Sequence, residues 1–327
     1  MSKLLSIIVP CYNVEKYVES CLESCTNQGI ALCDYEIVVI NDGSTDNTIL
    51  RVSDFCEKNP DVNVVFVNQT NQGLSAARNA GLLHSKGDYV MFVDSDDTIC
   101  PKVLTGVLNE AFSNNLDMMW FQHCLVNEYN ELLPLPNEDC KINASCAIRD
   151  GLDFITHEFN HSCMACMFIY RRQFLLENNI QFKDGLYLED IVFTLSCLRQ
   201  CKRIKYYPVC AYRYLIRSNS IMRDPKKTFK RSKDAISVAS MIVDLYRDVE
   251  RHGARAWVND FANAIIQYNL RRLVKNRARS SYSDCVRLLK KLNMLPLPES
   301  LRYKQKALTQ VFNISPSLYW AITSKMK

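Results

Sequence analysis

Three carboxylates stand within four positions of the chain, in the segment Asp94-Ser95-Asp96-Asp97. Carboxylates this close repel one another unless a positive group lies among them. Hard oxygen ligands of this kind suit Mg²⁺ or Mn²⁺, which proteins usually hold through one or two carboxylates together with substrate phosphates. The segment would also suit an acidic helix N-cap ahead of Pro101, so taken alone it leaves both interpretations open.

Two other polar features of the first third could bind a ligand. Asp42, in Asp42-Gly43-Ser44, could accept a hydrogen bond from a nucleotide base, although this segment could also be a turn that caps a helix. Arg78 is the only basic residue between Lys58 and Lys86. A lone arginine on an alanine-rich helix suggests a phosphate, base or carboxylate partner, and an ordinary salt bridge is the alternative.

The elements that must position these residues are predicted by four short apolar runs. They are Ser6–Val9, Glu36–Ile40, Val62–Val67 and Tyr89–Val93. Their near-continuous apolar character predicts strands of a parallel sheet that are buried on both faces. Apolar residues recur at spacings of three and four between them, which indicates helices. The fold class is therefore α/β, with a Rossmann-like, mostly parallel central sheet flanked by helices. Because carboxyl ends of parallel strands meet at one edge, the polar segments should converge there.

The rest of the chain divides into an irregular middle and a helical end. Further strands are expected at Leu116–Phe121, Met164–Tyr170 and Tyr206–Tyr214, and a helix at Leu188–Leu198. A helical pattern begins near residue 225. We therefore predict a catalytic domain over 1–222, with a donor half of about 1–105 and an acceptor half of about 106–222, and a basic helical region over 223–327.

Charge is distributed unevenly along the chain. Residues 1–200 carry 13 basic and 27 acidic side chains, a net of −14, whereas residues 201–327 carry 27 and 8, a net of +19. An acidic part suits cation binding and a basic part suits an anionic surface, such as a membrane. The alternative is a solvated basic helical face. Phe312–Ile322, flanked by lysines, would suit either a membrane interface or a helix that docks on the main domain.

Fifteen cysteines raise the question of the redox compartment. The first residues form no secretory signal, and no apolar stretch reaches the roughly 20 residues that cross a bilayer. We therefore expect a cytoplasmic protein with free thiols, peripheral on the inner face of the cell membrane if the basic region binds lipid. Cys163 and Cys166 form a CxxC, but no second pair lies at a zinc-like spacing, so no zinc site is predicted.

At the residues described above, the sequence resembles the family 2 glycosyltransferases, which have the GT-A fold. The resemblance is carried by Ser6-Ile-Ile-Val-Pro-Cys-Tyr-Asn13, Glu36-Ile-Val-Val-Ile-Asn-Asp-Gly-Ser-Thr-Asp46, Asn71-Gln-Gly-Leu-Ser-Ala-Ala-Arg-Asn-Ala-Gly81 and Gly87-Asp-Tyr-Val-Met-Phe-Val-Asp-Ser-Asp-Asp97. It covers residues 4–105 densely, resumes at Tyr187-Leu-Glu-Asp-Ile-Val-Phe193 and is loose in the last third.

The resemblance implies a role for each matching residue. Pro10 and Tyr12 would line the nucleoside pocket, Asp42 would hold the uracil ring with Arg78 nearby, and Asp94 would hold ribose. Asp96 would bind the metal that bridges the diphosphate, and Asp190 would be the catalytic base. Ser95 and Glu189 would belong to the donor site, and Arg213, Arg217 and Ser220 would lie in a segment that covers the diphosphate.

The activity so implied is inverting transfer of a hexose or N-acetylhexosamine from a UDP-sugar to a hydroxyl of a glycan or lipid-linked oligosaccharide, in surface polysaccharide synthesis with Mn²⁺ or Mg²⁺. The Glu189-Asp190 pair could instead be an ordinary acidic first turn of a helix. A nucleotidyltransferase is a second candidate, but its glycine-rich loop is missing at Pro10-Cys11-Tyr12-Asn13. A catalytically inactive glycan-binding relative is a third. The basic region lacks a recognisable nucleic-acid motif, so no nucleic acid is expected as a partner.

Overall fold

The computed structural model describes residues 3–134, 144–159, 163–217, 227–298, 300 and 303–326. The chain forms two compact units. The first comprises residues 1–185 and 196–217, and the second comprises residues 186–195 and 218–327. The division of the chain into a catalytic domain over 1–222 and a basic region after it concerns function and stays a prediction.

The first unit contains a nine-stranded sheet. Its strands are β1 (Lys3–Cys11), β2 (Tyr35–Asp42), β3 (Val64–Gln69), β4 (Gly87–Phe92), β5 (Thr98–Ile99), β6 (Met118–Val126), β7 (Leu132–Leu133), β8 (Phe168–Arg171) and β9 (Ile204–Leu215). The order in the sheet is β3-β2-β1-β4-β8-β6-β9-β5, and β7 pairs with β6.

The helices complete both units. They are α1 (Val18–Thr26), α2 (Thr48–Lys58), α3 (Leu74–His84), α4 (Leu104–Ser113), α5 (Gly151–His157), α6 (Arg172–Glu177), α7 (Glu189–Gln200), α8 (Thr228–Leu245), α9 (His252–Lys275), α10 (Arg279–Lys291), α11 (Tyr303–Ile314) and α12 (Pro316–Thr323). A single 3₁₀ turn, Ala165–Met167, precedes β8, so the strand expected at Met164–Tyr170 begins later than its apolar residues suggested.

The amino-terminal half of the sheet is parallel, as the sequence predicts. β1 pairs in parallel with both β2 and β4, and β2 pairs in parallel with β3. All eight residues of β2 are buried, which explains its unbroken apolar run. α3 packs closely on β1 and β2, because a Cβ added at Gly81 would lie 2.2 Å from Cγ2 of Ile8. The α/β fold class is confirmed, and the ends of these strands lie at one edge.

The other half of the sheet has mixed directions. β8 pairs antiparallel with both β4 and β6, and β9 runs parallel to β6 and antiparallel to β5. Trp120 on β6 is fully buried and packs edge-on against Phe154 and Phe159. These long-range pairings bring β9 to the segment that follows β4.

The second unit is helical around α9. α8, α10, α11 and α12 all pack on α9. A buried polar network joins them: Tyr319 Oη donates to Gln267 Oε1 at 2.6 Å, and Asn263 Nδ2 donates to Thr309 Oγ1 at 3.0 Å. Buried amide groups paired in this way fix the register of packed helices. Within the described residues, no helix combines the length and the apolar character needed to cross a bilayer.

Candidate active site

The polar loops that follow β1 and β2 are joined to each other at the carboxyl edge of the sheet. Asn13 Oδ1 accepts a 2.8 Å hydrogen bond from the Thr45 amide, and the Asn13 amide donates to Ser44 Oγ at 3.1 Å. Pro10 is buried in β1 opposite Ile40, whereas Tyr12 is 49% exposed. Tyr12 therefore offers an aromatic face to a ligand, and Pro10 shapes the strand beneath it. Their contact with a nucleoside stays a prediction.

Asp42, at the end of β2, holds the loop that follows β3. Its Oδ1 accepts hydrogen bonds from Gln69 Nε2 at 2.7 Å and from the Gln72 amide at 2.9 Å, and its Oδ2 accepts one from the Gly73 amide at 2.8 Å. The residue is buried. Two of its approximately four acceptor positions lie on Oδ2, and one of these two is used. The carboxylate organises this loop, and its contact with a nucleotide base stays a prediction.

Gly43 and Gly73 allow this loop arrangement. Gly43 has a φ of +72°, and a Cβ placed on it would meet the Asn71 backbone nitrogen at 2.9 Å. Gly73 has a φ of +91° and precedes α3. A side chain at either position would be strained, which gives a physical reason for the glycines of both matching segments.

Arg78 on α3 is 1% exposed and pairs with the first carboxylate of the acidic loop, as residues Asp94–Asp97 are called here. Its Nη2 lies 2.7 Å from Asp94 Oδ1. The guanidinium carbon lies 5.0 Å from the centre of the Phe182 ring. Asn79, the next residue of α3, exchanges hydrogen bonds with the backbone of Phe182, which fixes that ring. The partner that the sequence left open for Arg78 is thus a carboxylate of the candidate site.

Asp97 is the structural member of the acidic loop. It is buried, its Oδ2 accepts a 2.7 Å hydrogen bond from the Tyr212 hydroxyl, and its Oδ1 accepts one of 2.7 Å from the Leu215 amide. The same hydroxyl accepts a hydrogen bond from the Asp94 amide at 3.1 Å. Burial, followed by the charges of Asp96 and Asp94, raises the pKa of Asp97 well above its usual value. Tyr212 and Asp97 therefore fasten the acidic loop to β9.

Asp96 pairs with an arginine that follows β9. Its Oδ2 lies 2.7 Å from Arg217 Nη2, and the two side chains are 22% and 21% exposed. The Arg217 guanidinium carbon lies 5.1 Å from the centre of the Tyr17 ring. Burial and the neighbouring charge of Asp94 raise the pKa of Asp96, and Arg217 opposes them. A cation therefore already sits at this carboxylate.

Ser95 and Arg213, which the resemblance placed at the donor, have other contacts here. Ser95 is buried beside the Cys11 thiol. Arg213 pairs with Thr98 across β5 and β9, and its Nη1 donates to Asn130 Oδ1 at 3.2 Å. Because neighbouring residues of a strand point to opposite faces, Arg213 faces away from the side that Tyr212 serves. Donor contacts of both residues stay predictions, and Ser220 lies outside the described residues.

Glu189 and Asp190 form the acidic first turn of α7. They belong to the second unit, as does the rest of α7 up to Leu195. Leu188, directly before them, has a φ of +68°, so the chain turns sharply into the helix. The roles of Glu189 in donor binding and of Asp190 as the base stay predictions.

Comparison with known proteins identifies the family. The model of glycosyl transferase family 2 matches residues 6–177. The chain belongs to glycosyl transferase family 2. It is 30% identical to the uncharacterized glycosyltransferase EpsJ of Bacillus subtilis over 69% of this chain, and the match spans 65% of that protein. It is 26% identical to the poly(ribitol-phosphate) beta-glucosyltransferase of Bacillus spizizenii, over 74% of this chain and 37% of that protein.

A solved structure shows the same fold. TarS 1–349 of Staphylococcus aureus, crystallised with UDP-GlcNAc, aligns with a TM-score of 0.77 over 98% of this chain and 90% of that one, at 22% identity. The fold is therefore that of the glycosyltransferases, as the four matching segments implied. The sequence did not indicate that Arg217 pairs with Asp96 or that Tyr212 fastens the acidic loop. The only signal was an aromatic strand followed by arginines.

Proposed function

We propose that this enzyme transfers a hexose or N-acetylhexosamine from a UDP-sugar to a hydroxyl group of a glycan, with inversion at the anomeric carbon. The observation that carries the proposal is the acidic loop, in which Asp94 and Asp96 are each held by an arginine at the edge where Asp42 ends β2. In open α/β sheets this edge is where ligands bind.

The acidic loop fits a divalent cation. Asp94 and Asp96 offer hard carboxylate oxygens, and the upward shift of the Asp96 pKa reflects burial and repulsion that a cation would relieve. Asp96 would hold Mn²⁺ or Mg²⁺, with Asp94 beside it. When bound, the ion would stabilise the negative charge of the departing diphosphate.

The protein groups around this position have complementary tasks. Asp42 would accept the N–H of a uracil ring through its free acceptor position, while its three existing hydrogen bonds keep the loop in place. Arg217 would release Asp96 and bind the diphosphate instead, since a guanidinium binds either anion. Burial of Arg78 against Phe182 keeps Asp94 in position.

Asp190 would accept the proton of the acceptor hydroxyl as its oxygen attacks the anomeric carbon. One direct displacement inverts that carbon, so an α-linked donor yields a β-linked product. The Bacillus spizizenii relative is a poly(ribitol-phosphate) beta-glucosyltransferase, which supports this outcome and an acceptor from a surface polymer. The UDP-GlcNAc bound to TarS supports a uridine donor.

The test of this function is a donor screen that measures released nucleoside diphosphate with Mn²⁺, and again with EDTA. We expect release from a UDP-sugar, in the presence of acceptor, that EDTA abolishes. Asp96→Asn should weaken both donor binding and transfer, and Asp190→Asn should lower transfer by a factor of about 100 or more while donor binding persists. Asp61→Asn, an exposed carboxylate outside the site, is the matched control. Full transfer by the Asp190 variant would remove the base assignment.

We further propose that the carboxyl-terminal helices rest on an anionic membrane surface. Leu318 and Ile322 lie four residues apart on α12 and are exposed, as is Ile314 at the end of α11, whereas Tyr319 of α12 is buried and donates to Gln267 of α9. One face of α12 thus docks on α9 and another offers apolar contact, with exposed Lys325 just after the helix.

Deleting residues 300–327 would leave Gln267 without its Tyr319 partner, so substitutions give a cleaner test of membrane binding. The triple change Ile314→Ser, Leu318→Ser and Ile322→Ser should reduce sedimentation with phosphatidylglycerol vesicles. Leu83→Ser, which alters an exposed leucine of the first unit, should not. Equal binding by the triple variant and the original protein would refute the membrane contact.

A further inference from the structure

Three cysteines from separate parts of the first unit come together outside the acidic loop. Cys100 directly follows β5, Cys124 lies on β6 and Cys210 lies on β9. Their Sγ atoms all lie within 4.8 Å of one another, and each residue is partly exposed. The described cysteines, these three included, are free thiols. The sequence did not indicate this cluster, because its members are far apart in the chain and no CxxC marks them.

The sheet holds these thiols in place before any ion arrives. The Cys100 amide donates to the Ala211 carbonyl at 2.9 Å, next to Cys210. Cys124 pairs with Arg213 in the ladder between β6 and β9. Ladder hydrogen bonds therefore fix all three backbone positions, and little ordering would remain to be done on binding.

The separation of the sulfur atoms suits a tetrahedral ion. Zn–S bonds are about 2.3 Å long, which places tetrahedral thiolate sulfurs about 3.8 Å apart. Sγ atoms that already lie within 4.8 Å need only side-chain adjustments to reach this spacing. Thiolates are soft ligands and select zinc or copper(I) over Mn²⁺ or Mg²⁺.

Charge favours zinc. The Arg213 guanidinium lies against the Cys100 thiol. Three thiolates and one Zn²⁺ leave a single negative charge, which Arg213 would neutralise. Copper(I) would leave one uncompensated negative charge at a partly buried position.

We infer that Cys100, Cys124 and Cys210 form a zinc site, with water in the fourth position and Arg213 as its charge partner. This site lies outside the acidic loop and would hold a different kind of ion. Cys210 is two residues from Tyr212, which fastens Asp97. Bound zinc would therefore cross-link β5, β6 and β9 next to the acidic loop and would stabilise this part of the sheet.

The test uses the full chain, purified under reducing conditions and titrated with Zn²⁺ and with Co²⁺. We expect one equivalent of bound zinc, and a near-ultraviolet sulfur-to-cobalt charge-transfer band of three thiolates in the unmutated protein. Cys124→Ser and Cys210→Ser should each lower zinc affinity at least tenfold, and Arg213→Gln about tenfold. Cys56→Ser, a partly exposed cysteine outside the cluster, is the matched control and should bind as the original does.

Several outcomes would overturn the zinc site. These are no charge-transfer band in the unmutated protein, equal zinc content in the original and the Cys124 variant, or affinity lost equally in the Cys56 control. Failure to bind zinc when reduced, with a Cys100–Cys210 disulfide formed on oxidation, would make the cluster a redox pair instead. The cobalt spectrum needs no substitution, so the test holds even if a variant does not fold.

Discussion

Replacing Arg217 by glutamine should change metal binding and sugar transfer in opposite directions. Arg217 Nη2 lies 2.7 Å from Asp96 Oδ2. A divalent ion that binds Asp96 must displace or tolerate this guanidinium. Arg217→Gln removes the competing cation, so Mn²⁺ should bind the donor-free enzyme more tightly. The same change removes the cation proposed to bind the diphosphate, so transfer should fall.

The magnitude follows from the geometry of the pair. At 2.7 Å, and with an effective dielectric constant near 20, the Coulomb attraction is about 6 kcal/mol. Desolvation and the ordering of two side chains cancel most of this. A charge-assisted pair with side chains 21% and 22% exposed contributes about 1–2 kcal/mol net. At 1.4 kcal/mol per factor of ten, Mn²⁺ affinity should rise about 5- to 30-fold.

The assay is titration of the donor-free protein with Mn²⁺, followed by calorimetry or by the electron paramagnetic resonance signal of the free ion. Arg51→Gln is the control, since it removes an equal charge from an exposed arginine on α2 that lies 3.9 Å from Asp54. If Arg217→Gln bound Mn²⁺ no more tightly than Arg51→Gln, Asp96 would not be the residue that holds the metal.

Three other predictions concern the loops of the site. Asp42→Asn should lower the unfolding free energy by about 2 kcal/mol, because the new amide N–H would face one of the three donors that Asp42 now binds. Urea denaturation measures this change, and unchanged stability would contradict the prediction. Tyr212→Phe should lower the unfolding free energy by about 1–2 kcal/mol and weaken Mn²⁺ binding, since Asp97 and the Asp94 amide both lose a partner. Unaltered Mn²⁺ affinity would show that Tyr212 does not support the metal site. Burial raises the pKa of Asp46, whereas hydrogen bonds from Thr48 and the Glu15 amide lower it. The net effect is a pKa below the usual value of 3.8. Asp46 therefore contributes fully to the free energy of unfolding above about pH 5, and this contribution is lost as the pH falls through the lowered pKa. Asp46→Asn should flatten that part of the curve of unfolding free energy against pH.

The sequence predicted the parts of the fold that local pattern controls. The strands β1 to β4 are parallel, and β1, β2 and β4 are largely buried, so their residue types and order indicated both the sheet and the edge at which their polar ends meet. The expected burial of β3 on both faces was wrong, because β3 lies at the edge of the sheet and its residues are all partly or fully exposed. The alanine-rich spacing of its sequence likewise predicted the helix α3. Strands of the mixed half were expected at Leu116–Phe121, Met164–Tyr170 and Tyr206–Tyr214, and β6, β8 and β9 overlap these ranges. Their order in the sheet was not predicted, because it depends on long-range antiparallel and parallel pairings that no short window of sequence encodes.

The same limit applied to side-chain partners. Arg78 was expected to bind a phosphate, a base or a carboxylate, or to form an ordinary salt bridge, and it forms an ion pair with Asp94. The pairing of Arg217 with Asp96, and the cysteine cluster beneath, depend on β9 lying next to β5 and β6. A contact between side chains from distant strands leaves no spacing signature, so it becomes visible only when the sheet order is known.

The acidic loop shows how one short segment can give three identical carboxyl groups different tasks. Asp97 is buried and bound by two protein donors, so it serves the fold. Asp94 is held by an arginine that is itself buried, and exchanging that partner would strand a charge in the interior. Asp96 alone of the three is paired with a partly exposed arginine, whose release costs little. The segment therefore presents one exchangeable carboxylate, that of Asp96, on a rigid support, which suits the proposed binding of a cation together with a diphosphate.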